Sequence, residues 1–220
     1  MKTLKFLALF CFLAAFTACS SDDDNNDHDG PASMNTFTYN GKTYQLSTGI
    51  LEKEDDGDYS DDGSTEFYLS LTTSELNEDD EGELFPSDDK FSIISFNLFS
   101  KEAGDIEPGV YHFNDNYNIE FTFNDGIALL DIEVDWDEVD PGTIDLDDPH
   151  VSWDAIVVID SGEIEVHESG STYDIDFEFT MNNNKKLKGN YTGPLLDESD
   201  YPDKPAKTNS LLNNIQKVFN

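Results

Sequence analysis

Glu163-Ile164-Glu165-Val166-His167, then Ser169-Gly170-Ser171, then Tyr173-Asp174-Ile175-Asp176-Phe177-Glu178-Phe179 is the stretch on which the fold turns. Successive side chains of an extended chain point to opposite sides, so Tyr173, Ile175, Phe177 and Phe179 share one face and Asp174, Asp176 and Glu178 the other. One apolar and one charged face at a period of two marks an antiparallel strand with its outer side in water. The serine–glycine turn joins it to the alternating residues 163–167. Asn182-Asn183-Asn184 then turns the chain into Leu187-Lys188-Gly189-Asn190-Tyr191, whose lysine stands where it relieves repulsion among the acids opposite.

Working outward, the same pattern recurs. Thr36-Phe37-Thr38-Tyr39 and Lys42-Thr43-Tyr44-Gln45-Leu46 flank Asn40-Gly41, a pair that accepts the positive φ both positions of a tight hairpin turn require. Phe67–Leu71 reads as a strand. Phe91–Phe99 is apolar on both faces, which predicts a central strand. Val110–Phe113 and Asn118–Phe123 read as strands. An Asn124-Asp125-Gly126 turn then leads into Ile127–Val134, and Trp153–Ile159 is a further β-branched run. Residues 52–66, 74–90 and 135–150 are acidic and read as loops. Turn signals every 8–12 residues predict an all-β domain, an antiparallel β-sandwich or barrel-like domain, over residues 35–196. Leu211, Leu212, Ile215, Val218 and Phe219 are spaced for a short amphipathic C-terminal helix within a linker-and-helix segment, 197–220, capped by Asn209 or Ser210.

Charge narrows the partners. The chain of 220 residues has 48 acidic side chains against 12 lysines, and no arginine, for a formal charge of −36. Two of those lysines precede Cys19, so the chain from Cys19 onward carries −38. Phosphate binding needs clustered positive charge, which excludes nucleic acid as a partner and argues against direct adsorption to an anionic membrane. The only cysteines are Cys11 and Cys19, which leaves no Cys-based zinc site. A domain without disulfides relies on its apolar core, here rich in the 16 Phe and 9 Tyr.

The beginning of the chain carries its address. Lys2 and Lys5 precede an apolar run from Phe6 to Phe16, and Phe16-Thr17-Ala18-Cys19 places small residues before a cysteine. Such a run is too short to span a bilayer and reads as a secretory signal over residues 1–18. It resembles a bacterial lipobox, which implies that Cys19 is acylated and anchors the protein; an ordinary signal peptide would leave Cys19 a free thiol. Residues 19–34 form an acidic tether without apolar residues enough to build a core. Within it Ser20, Ser21, Asp22, Asp23 and Asp24 resemble the export tract of Bacteroidota surface lipoproteins, which implies display on the outer face of the outer membrane. The hairpin Phe37-Thr38-Tyr39-Asn40-Gly41-Lys42-Thr43-Tyr44 and the section from Ser161 to Gly193, with Gly170 and Gly189-Asn190-Tyr191-Thr192-Gly193, are similar to small lipoproteins of that group. The resemblance implies a β domain on a lipid tether and brings no catalytic residue.

Few residues point to chemistry. Asp55, Asp56, Asp58, Asp61 and Asp62 crowd oxygen ligands around glycines and are candidates for calcium, with Asn77, Asp79, Glu81 and Asp88 as further donors. The spacing is not that of an EF-hand, because the twelfth position from Asp58 is Leu69 where Glu is required. Trp136 and Trp153 flank the acidic loop, and exposed tryptophans stack on sugar rings, although such residues also fill cores. His28 lies in the tether, while His112 and His167 alternate with apolar neighbours in strands. Neither these nor His150 forms an HxH or HExxH pattern, and no GxSxG elbow or P-loop is present. The sequence points to no cofactor beyond calcium. It predicts a surface-displayed, lipid-anchored, non-enzymatic binding or accessory protein with a glycan or protein ligand. A secreted glycan-active hydrolase using paired carboxylates and a structural or adhesive surface subunit are the alternatives.

Overall fold

A computed structural model describes residues 35–53, 61–78, 84–101, 104–139, 146 and 148–197. These residues form β1 (Thr36–Tyr39), β2 (Lys42–Gln45), β3 (Thr48–Lys53), β4 (Thr65–Thr72), β5 (Leu76–Glu78), β6 (Leu84–Pro86) and β7 (Lys90–Ser100). They continue as β8 (Gly109–Phe113), β9 (Thr122–Val134), β10 (Val151–Ser152), β11 (Ala155–Glu168), β12 (Tyr173–Met181), β13 (Lys186–Gly193) and β14 (Leu195–Asp197). No helix occurs among the described residues. The expected C-terminal helix, the Cys19 lipidation site and the export tract lie outside them.

One sheet contains all but the small β5–β6 pair, in the order β14-β3-β4-β7-β9-β8-β11-β12-β13-β1-β2, with β10 beside β9 and a further β9–β11 pairing. It curls into a half-barrel around an aromatic core. Phe37, Phe67, Phe96, Phe123, Phe177 and Phe179 meet there with Leu69, Leu98, Ile164 and Ile175, all nearly inaccessible to solvent. The alternating face of β12 supplies this packing: Tyr173, Ile175, Phe177 and Phe179 point in, while Asp176 and Glu178 stay out. On that outer face Lys186 and Lys188 each reach Glu178 at 3.6 Å, His112 pairs with Glu163, and His167 sits between Glu165 and Asp176. The two-sided apolarity of 91–99 is realised in β7, buried on both faces. A second apolar cluster, Phe91, Ile93, Ile127, Leu129 and Ile132 with Val139, Leu146 and Val151, covers its other side.

The structure departs from the sequence expectation in five respects. The sheet is mixed, not purely antiparallel: β14 pairs parallel with β3 and β8 parallel with β9. The acidic loop 74–90 contains the β5–β6 hairpin. Asn118–Phe121 is irregular, and the supposed turn at 124–126 is a bulge inside one long strand, β9. Asp125 takes the left-handed φ of 47° that a turn residue would take, but the extra residue is absorbed in the ladder and the strand runs on. By the same device Trp153–Ile159 and 163–167 do not form two strands: β11 runs from Ala155 to Glu168 through register shifts between Ile159 and Ser161 and between Val166 and Glu168.

Candidate functional site

The second bulge of β9 builds the most unusual polar cluster among the described residues. Ala128 and Leu130 face the main core and Leu129 the outer cluster. Asp131 is then inserted, so that Ile132 falls back on the outer side. Asp131 accordingly has a φ of 52°, and its N–H donates to Ser92 Oγ at 2.9 Å across the register shift between Phe91 and Ile93. Asp tolerates the left-handed region because its short side chain bonds locally. The insertion takes the carboxylate out of the strict in–out alternation and brings it to the β1–β2 hairpin.

There Lys42 Nζ donates to Asp131 Oδ1 at 2.6 Å, the Tyr44 hydroxyl donates to Oδ2 at 3.1 Å, and Lys90 stands 3.8 Å from Oδ1. The Asp131 side chain is only 10% exposed. Burial pushes its carboxyl up, but the hydrogen bonds from Lys42 and Tyr44 and the lysine charges outweigh that and hold it below the ordinary aspartate value. The hydrogen bond to Asp131 raises Lys42 in turn, and burial, with the Asp131 charge, raises Tyr44. The Lys42 ammonium also lies 4.5 Å from the Tyr44 ring centroid, and Tyr44 stacks flat on Phe37 at 4.5 Å.

Around this cluster opens a cleft of about 390 Å³, with Leu130 and Ala155 at its apolar wall and Tyr39, Asp154, Asn183 and Lys185 at its rim. Asn183 Nδ2 donates to the Tyr39 hydroxyl at 2.7 Å, and the Lys185 ammonium lies 5.8 Å from the Tyr39 ring. A second, larger groove of about 670 Å³ is lined by Trp136, His150 and the carboxylates of Asp89, Glu133, Asp135 and Asp137. Phe85 meets the Trp136 ring edge-on at 5.5 Å, and Phe91 lies nearly parallel to it at 6.4 Å. The indole N–H donates to the Asp88 carbonyl at 3.4 Å. Lys90 links the two openings, because it pairs with Asp131 and its partner across the ladder is Glu133.

Compared with protein-family models, with curated proteins and with solved structures, the chain matches none.

The residues singled out from sequence fare differently. Trp136 is half-buried at the groove, and Trp153 is 38% exposed just after Val151 and Ser152 of the groove wall. Asp61 and Asp62 hold a loop: Asp61 accepts from the Asn118 N–H at 2.9 Å, and Asp62 from the N–H groups of Glu120 and Ser64 at 3.0 Å each. The bond from Glu120 leads the effects that lower the Asp62 carboxyl. Asp55, Asp56, Asp58, Asp79 and Glu81 lie outside the described residues, and no group of three or more His, Cys, Asp or Glu among the described residues is arranged to hold a metal ion. Sequence reasoning missed Asp131, Lys42 and Lys185. The signal was there: Asp131 is the one charge in the apolar run Ile127-Ala128-Leu129-Leu130-Asp131-Ile132.

Proposed function

We propose that this chain is a lipid-anchored lipoprotein displayed on the outer face of the outer membrane, where it binds a glycan without cleaving it. The anchoring rests on the run Phe6–Phe16 before Cys19 and the acidic tract after it. The binding rests on one observation: a tryptophan braced by two phenylalanines lines a groove that also holds four acidic residues, Asp89, Glu133, Asp135 and Asp137. An indole face offers a sugar ring apolar contact, while carboxylates accept hydrogen bonds from its hydroxyls. The braced ring loses little freedom on binding, which favours affinity.

Hydrolysis is the less favoured reading. A glycosidase general acid at neutral pH needs a raised carboxyl pKa, a role that Asp62 and Asp131, both shifted downward, do not fit. An adhesive subunit would offer a sheet edge for strand addition. The edge strand β2 is four residues long and carries Lys42, features that blunt an edge.

A glycan array probed with the full chain tests the proposal. Binding is expected, weakened on the order of tenfold by Trp136→Ala and by the gentler Glu133→Gln. Release of new reducing ends from a bound glycan would favour the hydrolase, and binding untouched by both substitutions would move the site elsewhere. The anchor is tested separately by metabolic labelling with a clickable fatty acid, which should mark the wild type and not Cys19→Ala.

A further inference from the structure

We propose that the cleft between the β1–β2 hairpin and the β9 bulge receives the carboxylate of an acidic sugar, with Lys185 as its counter-ion. Positive charge is scarce in this chain, which carries −36 overall and no arginine. Yet Lys42 and Lys185 line this cleft, and Lys90 reaches its central carboxylate. Lys42 and Lys90 are committed to Asp131. Lys185 is different. Its ammonium forms no ion pair among the described residues and rests over the Tyr39 ring. Its backbone is fixed by the Asn182–Asn184 turn, where the Lys185 N–H donates to Asn183 Oδ1 at 3.1 Å. An ammonium held at a cleft and in no ion pair among the described residues is a donor for an anionic group from outside.

The rest of the cleft fits a sugar around that anion. Asn183 Nδ2 donates to the Tyr39 hydroxyl oxygen, which leaves the Tyr39 O–H proton available to a ligand. Asp154 offers hydroxyl groups an acceptor, and the half-buried Ala155 offers a small apolar contact. About 390 Å³ lies within the usual range for small-ligand sites. Of the two carboxylates in the lining, Asp131 is paired with two lysines, so Lys185 has only Asp154 to set against it in the cleft. This inference rests on the glycan reading and narrows its ligand to uronic- or sialic-acid-bearing chains.

The test uses the full chain and calorimetric titration with hexuronate oligomers and sialyl-lactose, each beside its methyl ester, in which only the charge is removed. The acids are expected to bind, and each ester on the order of tenfold more weakly. Lys185→Met keeps most of the stem and should abolish the preference for the acid without lowering the melting temperature. Equal binding of acid and ester, full affinity in Lys185→Met, or no binding of any acid in the set would each overturn the proposal. Neutral glycans bound at the Trp136 groove in that last case would leave the broader glycan reading standing.

Discussion

Asp131 is where residue-level physics has the most to say about this protein. Its carboxylate is held by two lysines and a tyrosine that come from distant parts of the chain, so it ties the hairpin to β9. Asp131→Asn keeps the shape but removes the charge, and should cost about 1–3 kcal/mol in denaturant unfolding, the range for a charge-assisted bond. The folded-state pKa is depressed, so the stabilisation is present above the unfolded aspartate value of about 3.9 and is lost as pH falls through the lower folded value. Acid unfolding of the wild type should therefore steepen in that window, and Asp131→Asn should flatten it. An unchanged acid limb would show that the cluster contributes nothing. The sequence marks Asp131 as a lone charge in an apolar run but not what it meets, because Tyr44 and Lys42 lie 87 and 89 positions away. Only the bulge, a feature of pairing and not of composition, brings them together.

At the scale of elements, the alternating strands were legible and their continuity was not. Tyr173–Phe179 and the Asn40-Gly41 hairpin emerge as read, since period-two burial and positive φ at both turn positions, 51° and 78°, are local properties. The bulge at Asp125 looks like a turn in sequence, because the same left-handed residue serves either purpose, and the bulge at Asp131 gives no sign of a break in a run that reads as one strand; which one such a residue becomes depends on whether a neighbouring strand continues. Gly189 shows how closely these elements meet. It lies between Phe37 on β1 and Phe177 on β12, and a Cβ there would come within 2.5 Å of the Thr36 carbonyl oxygen and 2.6 Å of both phenylalanines. A backbone oxygen in a ladder cannot step aside. Gly189→Ala should thus destabilise the domain by about 1–3 kcal/mol, the usual cost of overpacking. A melting temperature equal to that of the wild type would mean that β1 rides loosely on β13.

At the scale of the whole molecule, −36 on 220 residues sets compaction against like-charge repulsion. Screening shortens with salt, from about 30 Å at 0.01 M to about 3 Å at 1 M. The melting temperature should rise when sodium chloride is increased from the low to the high end of that range, and a flat profile would show that the acids are spread or paired well enough to cancel. The half-barrel also has a consequence in time. The last strand among the described residues, β14, follows β13 after Pro194 alone and zips onto β3, so that Leu195 faces Gly49, while Thr36 faces Asn190 across the first ladder. Both seams join the two ends of the domain, and closing so long a loop is among the slow events of folding. A chain synthesised from its amino end must hold β3 with one side bare until residues 195–197 arrive. During that interval the sheet is half made and awaits the three residues of β14, vulnerable to any stray strand that gets there first.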